Sequence, residues 1–97
     1  MTFIEEIRNI SDTALEKARI RGTKKIIKGI KKEIRKRASM GDYNATYYIP
    51  AATRFYTDEV EDYFTKEGFN CDIIIPFYSA PRVFVFWKEE KSNEENK

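Results

Sequence analysis

Histidine is absent from the 97-residue sequence, and cysteine occurs once, at Cys71. Without histidine the chain lacks the commonest general acid–base group, the Ser–His and Cys–His nucleophile pairs and most zinc sites. A single cysteine excludes an internal disulfide and thiolate metal clusters, and it fits a reducing compartment. We therefore expect a binding protein and not an enzyme, with no metal and no cofactor.

Catalytic and metal-binding motifs are also scarce among the carboxylates. Asp58, Glu59, Glu61 and Asp62 lie together in a helical stretch, with neither a glycine-rich loop nor metal-loop spacing beside them. A hydrolase that uses carboxylates alone stays open on composition, although no motif favours it.

Long apolar runs are missing too. No stretch approaches the ~18 uncharged apolar residues of a membrane span, and the N-terminal "MTFIEEIRNI" has acids where a secretory signal has bases. We expect an intracellular protein without a membrane partner. The length fits one core, so we predict a single α+β domain over residues 1–90 and a disordered charged tail over 91–97.

Charge is abundant but segregated along the chain. The formal net charge is only +2, yet the segment from Lys17 to Arg37 holds eleven bases and one acid, Glu33. That segment therefore carries +10 and the remainder −8. Such asymmetry indicates an anionic partner or pairing between the two halves of the chain.

The first forty residues have the pattern of a long helix. Thr2 and Glu5 form a capping-box signature, and Gly41 is a suitable C-terminal stop. Apolar residues recur at helical spacing at Phe3, Ile7, Ile10, Ala14, Ala18, Ile26, Ile27, Ile30, Ile34 and Ala38. A continuous helix of this length would measure roughly 57 Å and overhang a domain about 30 Å across. A break near Gly22 is the alternative.

The remaining pattern is strand, helix, strand, strand. We predict a strand over Tyr43–Pro50, a helix capped by Thr57 and ended by Gly68, and two strands over Cys71–Tyr78 and Arg82–Lys88 joined by a tight "SAP" turn. Phe69 is placed to fold back on Phe64. The first two strands should be parallel, either as neighbours or with one strand between them.

The predicted strands are apolar on both faces, which raises the question of what covers the sheet. In the last strand, Val83, Val85 and Trp87 alternate with Phe84 and Phe86. Either both helices sandwich the sheet in a monomer, or copies of the chain associate through the sheet or the long helix. We expect a homo-oligomer, a dimer or a tetramer.

Basic side chains gather on one face of the predicted first helix, opposite its isoleucines. They are Lys24, Lys25, Lys28, Lys31, Lys32, Arg35 and Lys36. Three interpretations stay open: a solvated face that could pair with acids of a neighbouring subunit, a phosphate-binding surface, and a membrane-surface helix.

Two junctions, "ATRFY" and "FYSAPR", each place an aromatic ring, a hydroxyl and an arginine at the end of a strand. This set suits a planar base attached to a phosphate. Aromatic rings stack on bases, hydroxyls hydrogen-bond to base edges, and one guanidinium group can bind two phosphate oxygens. We predict stacking by Tyr78, Tyr56 and Tyr43, edge contacts by Ser79 and Thr53, and phosphate contacts by Arg82, Arg54 and Arg37. The alternative is that Phe55 and Phe77 belong to the core and the arginines are merely solvated.

The layout of basic helix, "MGDYNATYYIP" strand, "TDEVEDYFTKEGF" helix and "CDIIIP…RVFVFWK" hairpin resembles a group of small bacteriophage proteins that includes the anti-CBASS nucleotide sponges. The resemblance implies an oligomeric viral immune-evasion protein that sequesters a cyclic dinucleotide at a subunit interface without hydrolysing it, in the cytoplasm of the infected bacterial host. It assigns no binding residue. Other functions left open are a basic-helix protein that binds nucleic acid or an acidic host protein, and a small phage structural protein.

Overall fold

A computed structural model describes residues 2–88, so the tail predicted to be disordered lies outside the described residues. The elements are helix α1 (Phe3–Ser39), strand β1 (Asn44–Tyr48), helix α2 (Thr57–Lys66), strand β2 (Asn70–Ile74) and strand β3 (Arg82–Phe86). The predicted α+β class and the predicted order of elements are confirmed. Across the described residues, no helix is both long enough and apolar enough to span a membrane.

Helix α1 is continuous for 37 residues, so it does not break near Gly22. Its capping box is formed: the Thr2 N–H donates to Glu5 Oε1 at 2.9 Å, and the Glu5 N–H donates to Thr2 Oγ1 at 3.3 Å. Gly22 and Gly29 lie where other parts of the chain touch the helix. A Cβ at Gly22 would lie 1.8 Å from the Arg54 carbonyl oxygen, and one at Gly29 would lie 2.6 Å from the Tyr47 hydroxyl. Both glycines therefore serve close packing.

The three strands form an antiparallel sheet in the order β1–β3–β2. Val85 pairs with Ala45 on one side and with Cys71 on the other. Because β1 and β2 both run antiparallel to β3, they are parallel to each other with one strand between them. This is one of the two predicted arrangements.

Several predicted boundaries are wrong. Strand β1 ends at Tyr48 and strand β3 at Phe86, each two residues before the predicted end, and β2 and α2 also differ. Strand β2 ends at Ile74, four residues before the predicted Tyr78, and residues 75–81 form a longer connection than the expected tight turn. Pro76 cannot donate to a sheet ladder, which accounts for the early end. Helix α2 begins at Thr57 itself, and the cap is Tyr56, which makes no side-chain capping hydrogen bond.

Both helices pack on the same face of the sheet. The buried core consists of Ile26, Ile30, Ile49, Val60, Phe64, Cys71, Val83 and Val85. Through these residues, α1 and α2 pack against the face of the sheet on which Val83 and Val85 of β3 lie. Phe69 packs edge-on against Phe64 with ring centroids 5.9 Å apart, as predicted.

The opposite face of the sheet has no helix over it in the described part of the chain. Phe84 and Phe86 on β3 are half-buried there, Tyr48 is 64% exposed and Ile74 is 40% exposed. A sheet sandwiched between the two helices, one of the two arrangements considered above, is therefore not what forms. The predicted homo-oligomer stays a prediction.

The first half of α1 extends beyond the domain, as its length predicted. The molecule measures 70 Å along its longest axis but only 25 and 22 Å across. The buried residues of α1 begin at Gly22, whereas Phe3, Ile4 and Ile10 are each more than half exposed.

Candidate functional site

The largest concentration of charge lies on the solvent side of α1, opposite the core. We define the basic stripe as Lys17, Arg21, Lys24, Lys25, Lys28, Lys32, Arg35 and Lys36, all of which are exposed. At 1.5 Å per residue these eight side chains cover about 29 Å of helix. Lysines and arginines at three- and four-residue spacing share one face of a helix, so the stripe is a straight row of cations.

No side chain of the basic stripe has an ion-pair or hydrogen-bond partner within residues 2–88. The nearby acids are used elsewhere. Glu33 lies 3.2 Å from Arg37 Nε, and Asp42 lies 3.5 Å from Arg37 Nη1. Lys31, which the sequence placed among the basic residues, donates instead to the Tyr63 hydroxyl at 2.6 Å.

The structure divides the eight predicted ligand-binding residues between the two ends of the sheet. Arg37 and Tyr43 lie at the end where β1 begins. There, Arg37 is bound by two carboxylates, and Lys88 Nζ lies 5.5 Å from the Tyr43 ring centre. Five strand residues at about 3.3 Å each separate Tyr43 from the opposite end by roughly 17 Å.

The other six predicted residues lie at the opposite end of the sheet, around the last residues of β1 and β2. Arg82 begins β3 there, directly between Tyr48 and Ile74. The connection that precedes Arg82 carries Ser79 and two very exposed rings, Phe77 at 89% and Tyr78 at 92%. Those rings pack edge-on with centroids 4.9 Å apart. Phe77 is therefore not a core residue.

Thr53, Arg54 and Tyr56 are also at this end, but in the segment that crosses α1. The Tyr56 N–H donates to Thr23 Oγ1 at 2.8 Å, and the Tyr56 hydroxyl donates to the Glu16 carboxylate. That hydrogen bond raises the pKa of the Tyr56 hydroxyl above its usual value of 10.0. Arg19 covers the ring at 5.5 Å. Tyr56 thus anchors the segment to the helix, and its face is already occupied by a cation.

Sequence reasoning missed one further feature, a groove of about 190 Å³ between α1 and α2. Ile34, Phe64 and Phe69 supply apolar walls, and Lys31 and Arg35 supply charge. The lysine is held by Tyr63, 32 residues away in the chain. The groove forms where residues from α1, α2 and the turn after α2 come together, and no local motif signals it.

The acidic side chains and Cys71 were the remaining candidates for chemistry in the described residues. No three of their Asp, Glu and Cys side chains lie close enough together to hold a metal ion. Cys71 is buried, and desolvation raises the pKa of its thiol to about 11, so little reactive thiolate forms near neutral pH.

The structure therefore offers two surfaces with chemistry, the basic stripe and the exposed aromatic end of the sheet beside Arg82. Comparison of the chain with protein-family models, with curated proteins and with solved structures found no match to any of them.

Proposed function

We propose that this chain binds duplex nucleic acid through the basic stripe of α1, by contacts to the phosphate backbone and without catalysis. The observation that carries the proposal is the row of eight exposed cations with no carboxylate partner in the described chain. This function was one of the alternatives left open by the sequence.

Geometry and charge density favour a duplex as the ligand. B-form DNA presents one negative charge per ~1.7 Å of axis, so a 29 Å row of cations faces many phosphates at once. The row lies on a rigid helix and is straight, which suits a straight duplex better than a small molecule. Because the proposed contacts are to phosphates and not to base edges, we expect little sequence preference.

Salt dependence of duplex DNA binding tests the proposal, because each phosphate contact releases counterions. With five to eight contacts, the plot of log K against log salt should have a slope of about −4 to −7. Replacing Lys28, at the centre of the stripe, with glutamine should weaken binding and reduce that slope by about 0.9. Lys28 is exposed, so the fold should not change.

The matched control is Lys66→Gln, an exposed lysine at the end of α2 and outside the stripe. It removes the same charge and should leave both the affinity and the slope unchanged. Equal losses in the two variants would show a general charge effect and would contradict a site on the stripe.

A second candidate function is sequestration of a cyclic dinucleotide, as the layout resemblance implies, and one observation favours it. Phe77 and Tyr78 are almost fully exposed beside Arg82, at the sheet end where Ser79 and Thr53 also lie. Exposed rings next to a guanidinium can stack a base and bind its phosphate. In this proposal a second copy completes the site, and the protein acts as an immune-evasion sponge in the cytoplasm of the infected host.

Calorimetric titration with cyclic dinucleotides tests this second function. Tyr78→Ala and Arg82→Ala should abolish binding, whereas Lys66→Ala should not affect it. A ligand with two charges should also give a slope no steeper than about −2 against log salt. Tight dinucleotide binding that is unchanged in both site variants would contradict the assignment of these residues.

A further inference from the structure

An apolar stripe on the first half of α1 has no partner in the described chain. We define the N-terminal stripe as Phe3, Ile4, Ile7, Ile10, Ala14 and Ala18, which share one side of the helix. Phe3 is 75% exposed, Ile4 56% and Ile10 57%. Four members of the stripe, Phe3, Ile7, Ile10 and Ala14, follow the alternating four- and three-residue spacing of a two-helix contact.

We propose that the N-terminal stripe binds the same stripe of a second copy, with the two helices antiparallel about a twofold axis. The proposal does not depend on what the basic stripe binds. Its grounds are the sizes of the stripe residues, the charges that flank them and the space available along the helix.

Residue size favours the antiparallel direction. The large side chains, Phe3 and Ile7, come first in the stripe, and the small ones, Ala14 and Ala18, come last. Antiparallel pairing places Phe3 against Ala18 of the second copy and Ile7 against Ala14, so that large residues fill the space beside small ones. Parallel pairing would place Phe3 on Phe3 and leave a gap at the alanines.

The surface has shallow depressions at the matching place. Two of them, wide open to solvent, lie on either side of Ala14. One is lined by Ile10, Thr13 and Lys17, and the other by Ser11, Leu15, Ala18 and Arg54. In the antiparallel register, Ile7 of the second copy lies over Ala14 and can enter this region as a knob between neighbouring side chains.

Charge favours the same direction. Glu6 and Lys17 lie on the same flank of the N-terminal stripe, and neither has a partner in the described part of its own chain. When Phe3 faces Ala18, Glu6 of each copy lies about 3 Å along the axis from Lys17 of the other, within reach of both side chains. In a parallel pair, Glu6 and Lys17 of one copy would lie on the opposite side of the interface from those of the other copy, so neither ion pair would form.

The available length also fits. The overlap of residues 3–18 would end before Gly22, where the Arg54 carbonyl packs on the helix. Tyr56 contacts Glu16 and Arg19 on the other side of the helix, away from the stripe. The overlap thus uses nearly all of the overhanging helix and meets the domain where Arg54 lines the groove beside Ala18.

Sedimentation equilibrium of the full chain tests the proposal in the absence of nucleic acid. We expect a dimer of twice the 11.5 kDa mass of one chain, and a monomer for Ile7→Glu. Ile7 lies outside the core, so the tryptophan and tyrosine fluorescence of the folded domain should be retained. Phe77→Glu changes a still more exposed apolar residue, in the loop before β3, and should remain dimeric. A monomeric wild-type chain, or a dimer that survives Ile7→Glu, would overturn the proposal.

A charge-exchange series tests the direction of pairing. Glu6→Lys and Lys17→Glu should each weaken the dimer, and the double variant should restore it, because both reciprocal pairs are then re-formed with opposite signs. In a parallel dimer these side chains do not meet across the interface, so the series should not show this loss and recovery. Failure of the double variant to recover would therefore reject the antiparallel arrangement, even if the chain dimerises.

Discussion

Burial gives Cys71 properties that its position in the sequence did not reveal. The thiol lies on the core side of β2, where desolvation, with a smaller effect of the nearby Glu61 and Asp72 carboxylates, raises its pKa from 9.0 to about 11. Alkylation requires the thiolate. A pKa two units higher leaves roughly 100-fold less thiolate near pH 8, so Cys71 should react far more slowly in the folded protein than in urea.

The same shift predicts how stability depends on pH. Because the pKa of Cys71 is higher in the folded state, its contribution to the free energy of unfolding is fully present below pH 9 and is lost as the pH rises towards 11. Between these pH values the folded state holds at most one more proton than the unfolded state. The free energy of unfolding therefore falls by at most about 1.4 kcal/mol per pH unit on account of Cys71. Urea unfolding of the wild type and of Cys71→Ala across this range measures it, and Cys71→Ala should lose less stability. Parallel pH profiles for the two proteins would show that the shift is absent.

At the scale of helices and strands, the features that depend on residues close together in the chain were predicted correctly from the sequence. The capping box of Thr2, the helical spacing of α1 and the return of Phe69 onto Phe64 all depend on residues within a few positions of each other, and all are confirmed. Strand β2 ends early because of Pro76. The proline is visible in the sequence, but the apolar run around it led to the prediction of a longer strand.

Long-range placement could not be predicted in the same way. Which face of the sheet each helix covers depends on packing between residues such as Ile26, Val60 and Val83, which lie far apart in the chain. The division of the predicted binding residues, by contrast, already follows from the predicted topology. Tyr43 precedes β1 and Tyr78 follows β2, and because these strands are parallel the two residues lie at opposite ends of the sheet.

The two glycines inside α1 provide a matched prediction at this scale. Sequence alone treats Gly22 and Gly29 as equal weaknesses, each about 1 kcal/mol less favourable than alanine. In the structure, a Cβ at Gly22 meets the backbone oxygen of Arg54, whereas one at Gly29 meets only the end of the Tyr47 side chain, which can rotate away. Gly22→Ala should therefore destabilise the protein by about 1–3 kcal/mol, and Gly29→Ala should remain within about 1 kcal/mol of the wild type.

Urea denaturation of both glycine variants distinguishes a packing role from a propensity role. Both substitutions gain the same helix propensity, so only the contact differs between them. Equal stabilisation of the two variants would mean that the segment around Arg54 does not press on α1 at Gly22.

At the scale of the whole molecule, the two proposals have a joint consequence. In the antiparallel dimer the basic stripes lie towards opposite ends of one rod, and their centres are roughly 52 Å apart at 1.5 Å per residue. A duplex of about 24 base pairs would reach across both stripes, whereas one of about 9 base pairs would cover only one. Binding to the longer duplex should therefore gain from the second, intramolecular contact.

The Ile7→Glu variant distinguishes the affinity gained from dimerisation from the affinity of one stripe for phosphates, because it leaves every cation of the basic stripe in place. We expect the substitution to weaken binding to the longer duplex at least tenfold, in line with the effective concentration of a linked second site. Affinity for the short duplex should hardly change, measured by fluorescence anisotropy at one salt concentration. Since the short duplex meets a single stripe in either protein, a similar loss on both duplexes would show that position 7 affects the stripe directly, and the dimer would then have no part in binding.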